Sequence, residues 1–394
     1  MARIVMQCGR VVFQPRAASM VGKLALLALA TAGWMSRDVL VMDFTVPSAS
    51  NQMWRMPSRT SSWHWQSRSR RSGVERNSLP LSERTYLITG STNGIGKQVA
   101  KRLADAGATV IIHGKQERLV EHTMNEIVLP RREDRSFDQG KVDGYVSDFG
   151  SLREVSEFAD LVAEEHPIID GILHNAATMD GDYRGTHLVT RDGNEHTLSV
   201  NVLAPFLLTS RLRPNLAKAG LSRVVFTGSK SMFDSLRDLN FEATPWSGSD
   251  AYGLSKLCTA MMALEMDARY GDAPRQTFHV IHPGSFATQL SKHSACFARG
   301  KRKYRRFTRN LATRFGMLPS AKYANRSFEA MVSDEFAVHS GLCDLDPADC
   351  PPQLFEPEAR KRLWDDLVEL TGAQWDPVEV EESVAELAQE QLSV

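Results

Sequence analysis

Tyr252 and Lys256 stand four residues apart in the run Tyr252-Gly253-Leu254-Ser255-Lys256, a spacing that places both side chains on one face of a helix. A phenol with an ordinary pKa of about 10 is a poor base near neutrality, and a neighbouring ammonium favours the phenolate and brings it into range for proton transfer. The pair reads as an acid–base couple, against the alternative of a solvated tyrosine and lysine on a helix surface. A second chemical feature lies upstream. Thr89-Gly90-Ser91-Thr92-Asn93-Gly94-Ile95-Gly96 follows the apolar run Tyr86-Leu87-Ile88 and precedes an amphipathic stretch from Lys97 to Ala106. Closely spaced glycines let a backbone turn tightly and approach a pyrophosphate, while free N–H groups and the positive end of a helix dipole hold negative charge. This run reads as a phosphate cradle, with a plain tight turn as the alternative.

These groups need elements to carry them. Strand-like runs occur at Thr85 to Thr89, Thr109 to His113, Val142 to Ser147, Gly171 to His174, Arg223 to Thr227 and Phe278 to His282, with helical patterns between most of them. Alternating strands and helices predict a parallel sheet covered on both faces. The fold class expected is therefore α/β: a Rossmann-type doubly wound parallel sheet in a single domain, with an N-terminal leader and a C-terminal helical extension. Right-handed crossovers bring the carboxyl ends of the strands to one edge, where the glycine turn, Asn175, Ser229 and the Pro283-Gly284 loop all fall. The charged segment Pro130 to Gly140 reads as an exposed loop.

The full series is the glycine turn, Asn175-Ala176-Ala177, Asn201, Ser229, the Tyr252/Lys256 pair and His282-Pro283-Gly284. It resembles the short-chain dehydrogenase/reductase family over about residues 83–290. The resemblance is nearest to the branch holding retinol dehydrogenases and the WW-domain oxidoreductase. It rests on Asp192-Gly193 leading into Leu198-Ser199-Val200-Asn201-Val202, the wide gap between Ser229 and Tyr252, and Ala251-Tyr252-Gly253-Leu254-Ser255-Lys256-Leu257. The stretch Arg360-Lys361-Arg362-Leu363-Trp364 to Leu370-Thr371-Gly372 is similar to that branch's closing helix.

The resemblance implies hydride transfer between a nicotinamide and a carbonyl carbon. Tyr252 would be the acid or base, Ser229 would hydrogen-bond the reacting oxygen, and Lys256 would lower the phenol pKa and hold the nicotinamide ribose. Asn201 would orient a water that continues the proton relay. Cofactor contacts are implied at Gly90, Ser91, Asn93, Gly94, Ile95, Gly96, Lys115, Asp148, Phe149, Asn175, Ala176, Tyr252, Lys256, Pro283, Gly284, Phe286 and Thr288. Asp148-Phe149 matches the family's adenine-contacting pair, and Asn175 is expected to support the sheet and the cofactor loop. Two departures are Asn175-Ala176-Ala177 in place of Asn-Ala-Gly, and Gly228 where the branch commonly has a second serine.

The cofactor expected is NADP(H). The second strand closes on His113-Gly114-Lys115-Gln116 with no carboxylate in the turn, and Lys115 stands where this branch usually has an arginine. A base there accepts the additional phosphate of NADP, whereas an acid would bond the ribose hydroxyls of NAD. The alternative is NAD with Lys115 as a surface charge. Lys97 either assists or is solvated.

Composition excludes some other classes. The 394 residues are 42% hydrophobic and 24% charged, as in ordinary globular proteins. The formal net charge of zero conceals an asymmetry, since residues 1–80 hold 11 Lys and Arg against 3 Asp and Glu, leaving 36 against 44 in the remainder. An acidic body argues against nucleic-acid binding. The five cysteines, Cys8, Cys258, Cys296, Cys343 and Cys350, show no metal-ligand spacing and read as free thiols, so no metal site is expected.

The expected organisation is a targeting or disordered leader at 1–80, the NADP-binding catalytic domain at 81–290 and a basic substrate lid at 291–320. The C-terminal part of the catalytic domain follows at 321–375, and an acidic tail at 376–394. In the leader, Arg3, Arg10, Arg16 and Lys23 precede the apolar stretch Leu24 to Met35, with Ala30-Thr31-Ala32 as a small-residue cleavage candidate, and Ser58 to Arg76 is transit-peptide-like. That order suits an address to a plastid, mitochondrion or endoplasmic reticulum. The alternative is a disordered extension on a cytoplasmic protein. Residues 299–315 carry eight Lys and Arg and no acid, with Tyr304, Phe307, Leu311 and Phe315 as an apolar stripe. Such a helix suits an anionic membrane surface or an acidic lipid-like substrate, or else packs on the domain with its charges solvated. The stretch from Trp375 onward reads as a loose or partly helical end.

The function expected is an NADP(H)-dependent reductase or dehydrogenase interconverting a small hydrophobic alcohol and its carbonyl. Three rivals stand beside it. Thr227-Gly228-Ser229 with Ser255-Lys256-Leu257-Cys258 also resembles light-dependent protochlorophyllide reductases, which reduce a ring double bond, although their lysine following the active tyrosine is absent. The others are a non-catalytic NADP(H)-binding scaffold and a membrane-surface adaptor.

Overall fold

The computed structural model describes residues 2–7, 10–14, 43–44, 79–132, 140–179, 188–230, 232, 248–271, 276–282, 320–337 and 340–375. The chain divides into two units, Met1–Trp65 and Gln66–Val394. In the first, β1 (Ala2–Gln7) pairs antiparallel with β2 (Arg10–Gln14) on one side and β3 (Asp43–Phe44) on the other. The apolar stretch Leu24 to Met35 and the Ser58 to Arg76 segment lie outside the described residues.

The second unit is built on a seven-stranded sheet. Its strands are β4 (Thr85–Ile88), β5 (Thr109–Gly114), β6 (Val142–Val146), β7 (Gly171–His174), β8 (Ser222–Thr227), β9 (Gln276–Ile281) and β10 (Gly341–Cys343). They run in the order β10-β9-β8-β7-β4-β5-β6, and every neighbouring pair is parallel. The order reverses between β4 and β7, which opens a crevice at the carboxyl ends of those strands. Six strands were expected. The seventh, β10, is three residues long and flanked by polar sequence, too short to leave a pattern.

Among the described residues, the longer helices that cover the sheet are α1 (Gly94–Asp105), α2 (Glu117–Arg132), α3 (Leu152–Glu165), α4 (Ala204–Ala217), α5 (Gly248–Tyr270), α6 (Ser320–Val332) and α7 (Pro357–Thr371). Alternate strand residues point to opposite layers. Leu87, Ile172, Val224 and Phe278 pack with α3, α4, α5 and α7, while Tyr86, Ile88, Leu173 and Val225 pack with α1, α2 and α6. Strands buried on both faces explain the unbroken apolar runs that the sequence shows. Each fully buried side chain of this size contributes about 1.5–3 kcal/mol.

Two local features depart from the sequence-based expectation. Helix α2 continues through Pro130 to Arg132 rather than yielding to a loop at Pro130. Trp375 itself is packed against the domain. Its ring lies 4.7 Å from Trp364, 5.0 Å from Phe206 and 5.3 Å from Tyr270, and its carbonyl accepts the Tyr270 hydroxyl at 3.0 Å. Aromatic stacking of this kind depends on partners far apart in sequence, which local pattern does not reveal. Among the described residues no helix is long and apolar enough to cross a membrane.

Candidate active site

The glycine turn leaves β4 at the switch point. Gly90 adopts φ +61° and Gly94 φ +60°, backbone angles that side chains with a Cβ resist. Gly90 is constrained twice, because a Cβ there would lie 2.6 Å from the Ala176 Cα. Thr89 ties the turn to the end of β7, its hydroxyl accepting the N–H groups of Asn175 at 3.0 Å and Ala176 at 3.1 Å. Asn175 returns the connection through its amide, donating to the carbonyls of Thr89 at 3.3 Å and Gly90 at 3.0 Å. Gly96 lies directly beneath that amide, so any larger residue would collide with it.

Asn93 caps α1, its side-chain oxygen accepting the Gly94 N–H at 2.7 Å. The amides of Ile95 and Gly96, in the first turn, have no carbonyl four residues back within the helix. They and the dipole of α1 make a seat for a diphosphate, and the glycines keep it free of side chains. Ile95 itself is buried against the domain.

Ser91 contributes differently from expectation. It is fully buried, its N–H donates to the His113 carbonyl at 3.0 Å, and its hydroxyl accepts the His113 N–H at 2.9 Å. Its polar groups therefore fasten the turn to β5. Lys97 pairs with Glu126 on α2. Lys115 is exposed just past β5. Phe149 is buried and stacks on His113 at 4.1 Å, and Asp148 Oδ1 accepts the Gly150 N–H at 3.0 Å. The glycine turn, the start of α1 and the expected adenine-side pair Asp148-Phe149 thus lie at neighbouring ends of β4, β5 and β6.

Across the switch point, β8 ends at Thr227 and delivers Ser229, while the first turns of α5 deliver Tyr252 and Lys256. The Ser229 side chain lies near enough to Tyr252 to favour its ionised form. Lys256 is buried, with Nζ 5.5 Å from the Tyr252 ring centroid and donating to the Thr227 carbonyl at 2.7 Å. An ammonium has three donors, so two remain for a ligand. Burial pulls the lysine pKa down to about 8. Burial also raises the Tyr252 pKa above its ordinary value. The lowering expected from Lys256 is not seen: burial dominates, and the opposing contribution comes from Ser229.

Asn201 sits in a π-helical turn, Ser199–Leu203, just before α4. Such turns displace one residue from the helical ladder. Its amide is engaged on both sides, donating to Thr178 O at 3.0 Å and Ser255 Oγ at 2.9 Å while accepting the Thr178 N–H at 2.8 Å. Its carbonyl accepts the Thr259 hydroxyl at 3.3 Å. Ser255 donates in turn to the Tyr252 carbonyl at 2.8 Å, so Asn201 braces the helix turn that carries the phenol.

Pro283, Gly284, Phe286 and Thr288, the basic segment 299–315 and the tail 376–394 lie outside the described residues. Sequence reasoning passed over three residues that the structure places at the centre of the scaffold: Thr89, His113 and Ser255. Thr89 heads the glycine run and carried that hint. His113 and Ser255 gave none, since each looks like an ordinary strand or helix residue. Among the described residues there is no group of side chains arranged to hold a metal ion, and Cys258, Cys343 and Cys350 are free.

Comparison with known proteins accords with this geometry. A family profile described as short chain dehydrogenase matches residues 84–296. Human retinol dehydrogenase 12 is 30% identical over 315 residues, 77% of this chain and 91% of that protein. Mouse polyprenol dehydrogenase is 30% identical over 310 residues, 75% of this chain and 85% of its own length. A crystal structure of a protein without assigned function from Mycobacterium paratuberculosis superposes with a TM-score of 0.55 at 25% identity, covering 78% of this chain and 100% of that one. The chain belongs to the short-chain dehydrogenase family of oxidoreductases, which use a nicotinamide cofactor, and within it to the retinol-dehydrogenase-like branch.

Proposed function

We propose that this protein is an NADP(H)-dependent oxidoreductase that interconverts a hydrophobic alcohol and its carbonyl. The observation that carries the reading is the convergence of Ser229, Tyr252 and the buried Lys256 ammonium, anchored on the Thr227 carbonyl, on the sheet edge that also holds the glycine turn. A bound nicotinamide supplies or accepts the hydride. Tyr252 exchanges a proton with the substrate oxygen at its hydroxyl, and Ser229 donates a hydrogen bond that offsets charge developing on that oxygen. Lys256, anchored on the Thr227 carbonyl, presents its remaining donors to the cofactor ribose and favours the ionised phenol once substrate and cofactor are seated. Asn201 holds the turn of α5 in register through Ser255.

Preference for NADP(H) rests on Lys115, exposed at the end of β5 with no carboxylate in the turn. A hydrophobic substrate accords with relatives named for retinol and polyprenol. A membrane contact through residues 299–315 and an organellar address in residues 1–80 belong to the same proposal and await their own tests.

The test is cofactor oxidation by the purified full-length chain against retinoid, steroid, quinone and aliphatic aldehyde substrates, using NADPH deuterated at C4. Deuterium on the carbinol carbon is the expected result. Oxidation with the label on a reduced ring carbon would favour the double-bond reductase instead, and no turnover with tight nucleotide binding would favour a scaffold.

A further inference from the structure

We infer that His113 is a positioning residue for the dinucleotide, pinning the glycine turn and the adenine-side wall to one another from beneath the sheet edge. The inference rests on the cofactor reading above. His113 is the fifth residue of β5, and its ring is buried. Nδ1 accepts the Gly90 N–H at 3.3 Å, and Nε2 lies 3.0 Å from the Ser147 carbonyl. A backbone amide only donates and a carbonyl only accepts, so the two contacts together fix one form of the ring: neutral, bare at Nδ1 and protonated at Nε2. Burial acts in the same direction, holding the imidazole pKa down at about 4.

The ring's faces are used as well as its nitrogens. It stacks on Phe149 at 4.1 Å with a 19° tilt and leans on Phe158 at 5.0 Å. Phe149 follows Asp148, the pair that forms the adenine-side wall, and Ser147 is the first residue beyond β6. The His113 backbone meanwhile accepts the Ser91 N–H and donates to the Ser91 hydroxyl. One residue thereby joins the first two positions of the phosphate turn to the adenine-side pair Asp148-Phe149. A dinucleotide needs both subsites at a fixed separation, because its phosphates and adenine are covalently linked, and a seat already at that separation loses less entropy on binding. Small residues at position 113 would leave the Gly90 N–H and the Ser147 carbonyl without partners and Phe149 without its support.

Substitutions can separate the two contacts. Asparagine places an amide oxygen near the Nδ1 position but falls short of Ser147. Glutamine reaches Ser147 with its N–H but leaves Gly90 unpaired. Leucine removes both bonds and keeps bulk beneath Phe149. Dissociation constants for NADPH, measured by quenching of protein fluorescence on the full chain, are expected to rise about tenfold in His113→Leu and less in His113→Asn and His113→Gln. The KM for NADPH should rise in parallel while kcat at saturating cofactor stays within about twofold, a split that general loss of folded protein would not produce. Imidazole nitrogen NMR of the wild type should show the Nε2–H form unchanged from pH 5.5 to 8.5. Folded His113→Leu and His113→Asn proteins that bind NADPH as wild type does would overturn the inference, as would a ring that titrates within that range. Wild-type protein that binds neither NADPH nor NADH would instead remove the cofactor reading itself.

Discussion

The two edges of the central sheet bury polar side chains to different ends. At the carboxyl edge, the polar atoms of Thr89, Asn175, Asn201 and Lys256 are matched by partners that also hold loops in place. At the amino edge, Arg84 donates to the Leu79 carbonyl at 3.1 Å and 2.7 Å, and Asp170 accepts the Thr85 N–H at 2.8 Å. Beside them Arg223 is 1% exposed, and neither of its terminal nitrogens has a hydrogen-bond partner. Burial lowers its pKa to about 10. Desolvated charge is costly at either edge. At the carboxyl edge the cost accompanies a lysine beside a phenol and a nucleotide seat, so removing the charge should hurt activity and help stability. At the amino edge no reacting group lies nearby, and removing the charge should affect stability alone.

The largest expected effect is at Tyr252. Tyr252→Phe should lower kcat by about 10²–10⁴-fold with NADPH affinity nearly unchanged, because only the proton-transfer oxygen is lost. Steady-state kinetics with cofactor titration checks this.

Lys256→Met should bring a comparable loss of turnover together with a gain in stability. The amine is held at about 8 rather than 10.5, so between those values the unfolded chain binds the additional proton. Stability of the wild type should therefore rise with pH from about 8 towards about 10.5, and the penalty, on the order of 3 kcal/mol, is in full force below 8. The raised Tyr252 pKa acts in the opposite direction once the unfolded phenol ionises near 10. Denaturant melts between pH 7 and 9.5 isolate the lysine, and the rise should vanish in Lys256→Met.

Lys115→Glu should reduce the preference for NADPH over NADH by about tenfold or more in kcat/KM, through loss of one charge-assisted contact. The smallest effect belongs to the opposite edge. Arg223→Met should leave kinetics unaltered and raise Tm by about 2 °C, roughly 1 kcal/mol for a domain of this size. A drop in kcat/KM with Arg223→Met would break the contrast between the edges.

Much of this arrangement was legible in the sequence because the chemistry that needs it is local. The glycine turn needs its residues in an unbroken run, and the phenol and ammonium need one helical turn between them. Doubly buried strands announce themselves as apolar runs, which is why β4, β5, β7, β8 and β9 were visible. The three residues of β10 were not, because a short edge strand receives its register from β9 rather than from its own pattern. The roles of His113, Ser255 and Trp375 were also hidden. Each depends on partners brought close only by the fold: Ser147 and Gly90 for the histidine, Asn201 for the serine, Phe206 and Trp364 for the tryptophan. The π-helical turn that aims Asn201 has no sequence signature that distinguishes it from continuous helix.

The proposed chemistry places the Tyr252 phenol, steadied by Ser229 and Lys256, against a dinucleotide seated on the glycine turn. A crystal structure of the protein with NADP bound tests it most directly. The diphosphate is expected on the amides at the start of α1, the Lys256 ammonium on the nicotinamide ribose, and the Tyr252 hydroxyl beside nicotinamide C4 within reach of a substrate oxygen. A phenol turned away from the nicotinamide, or a nucleotide seated elsewhere on the molecule, would contradict it.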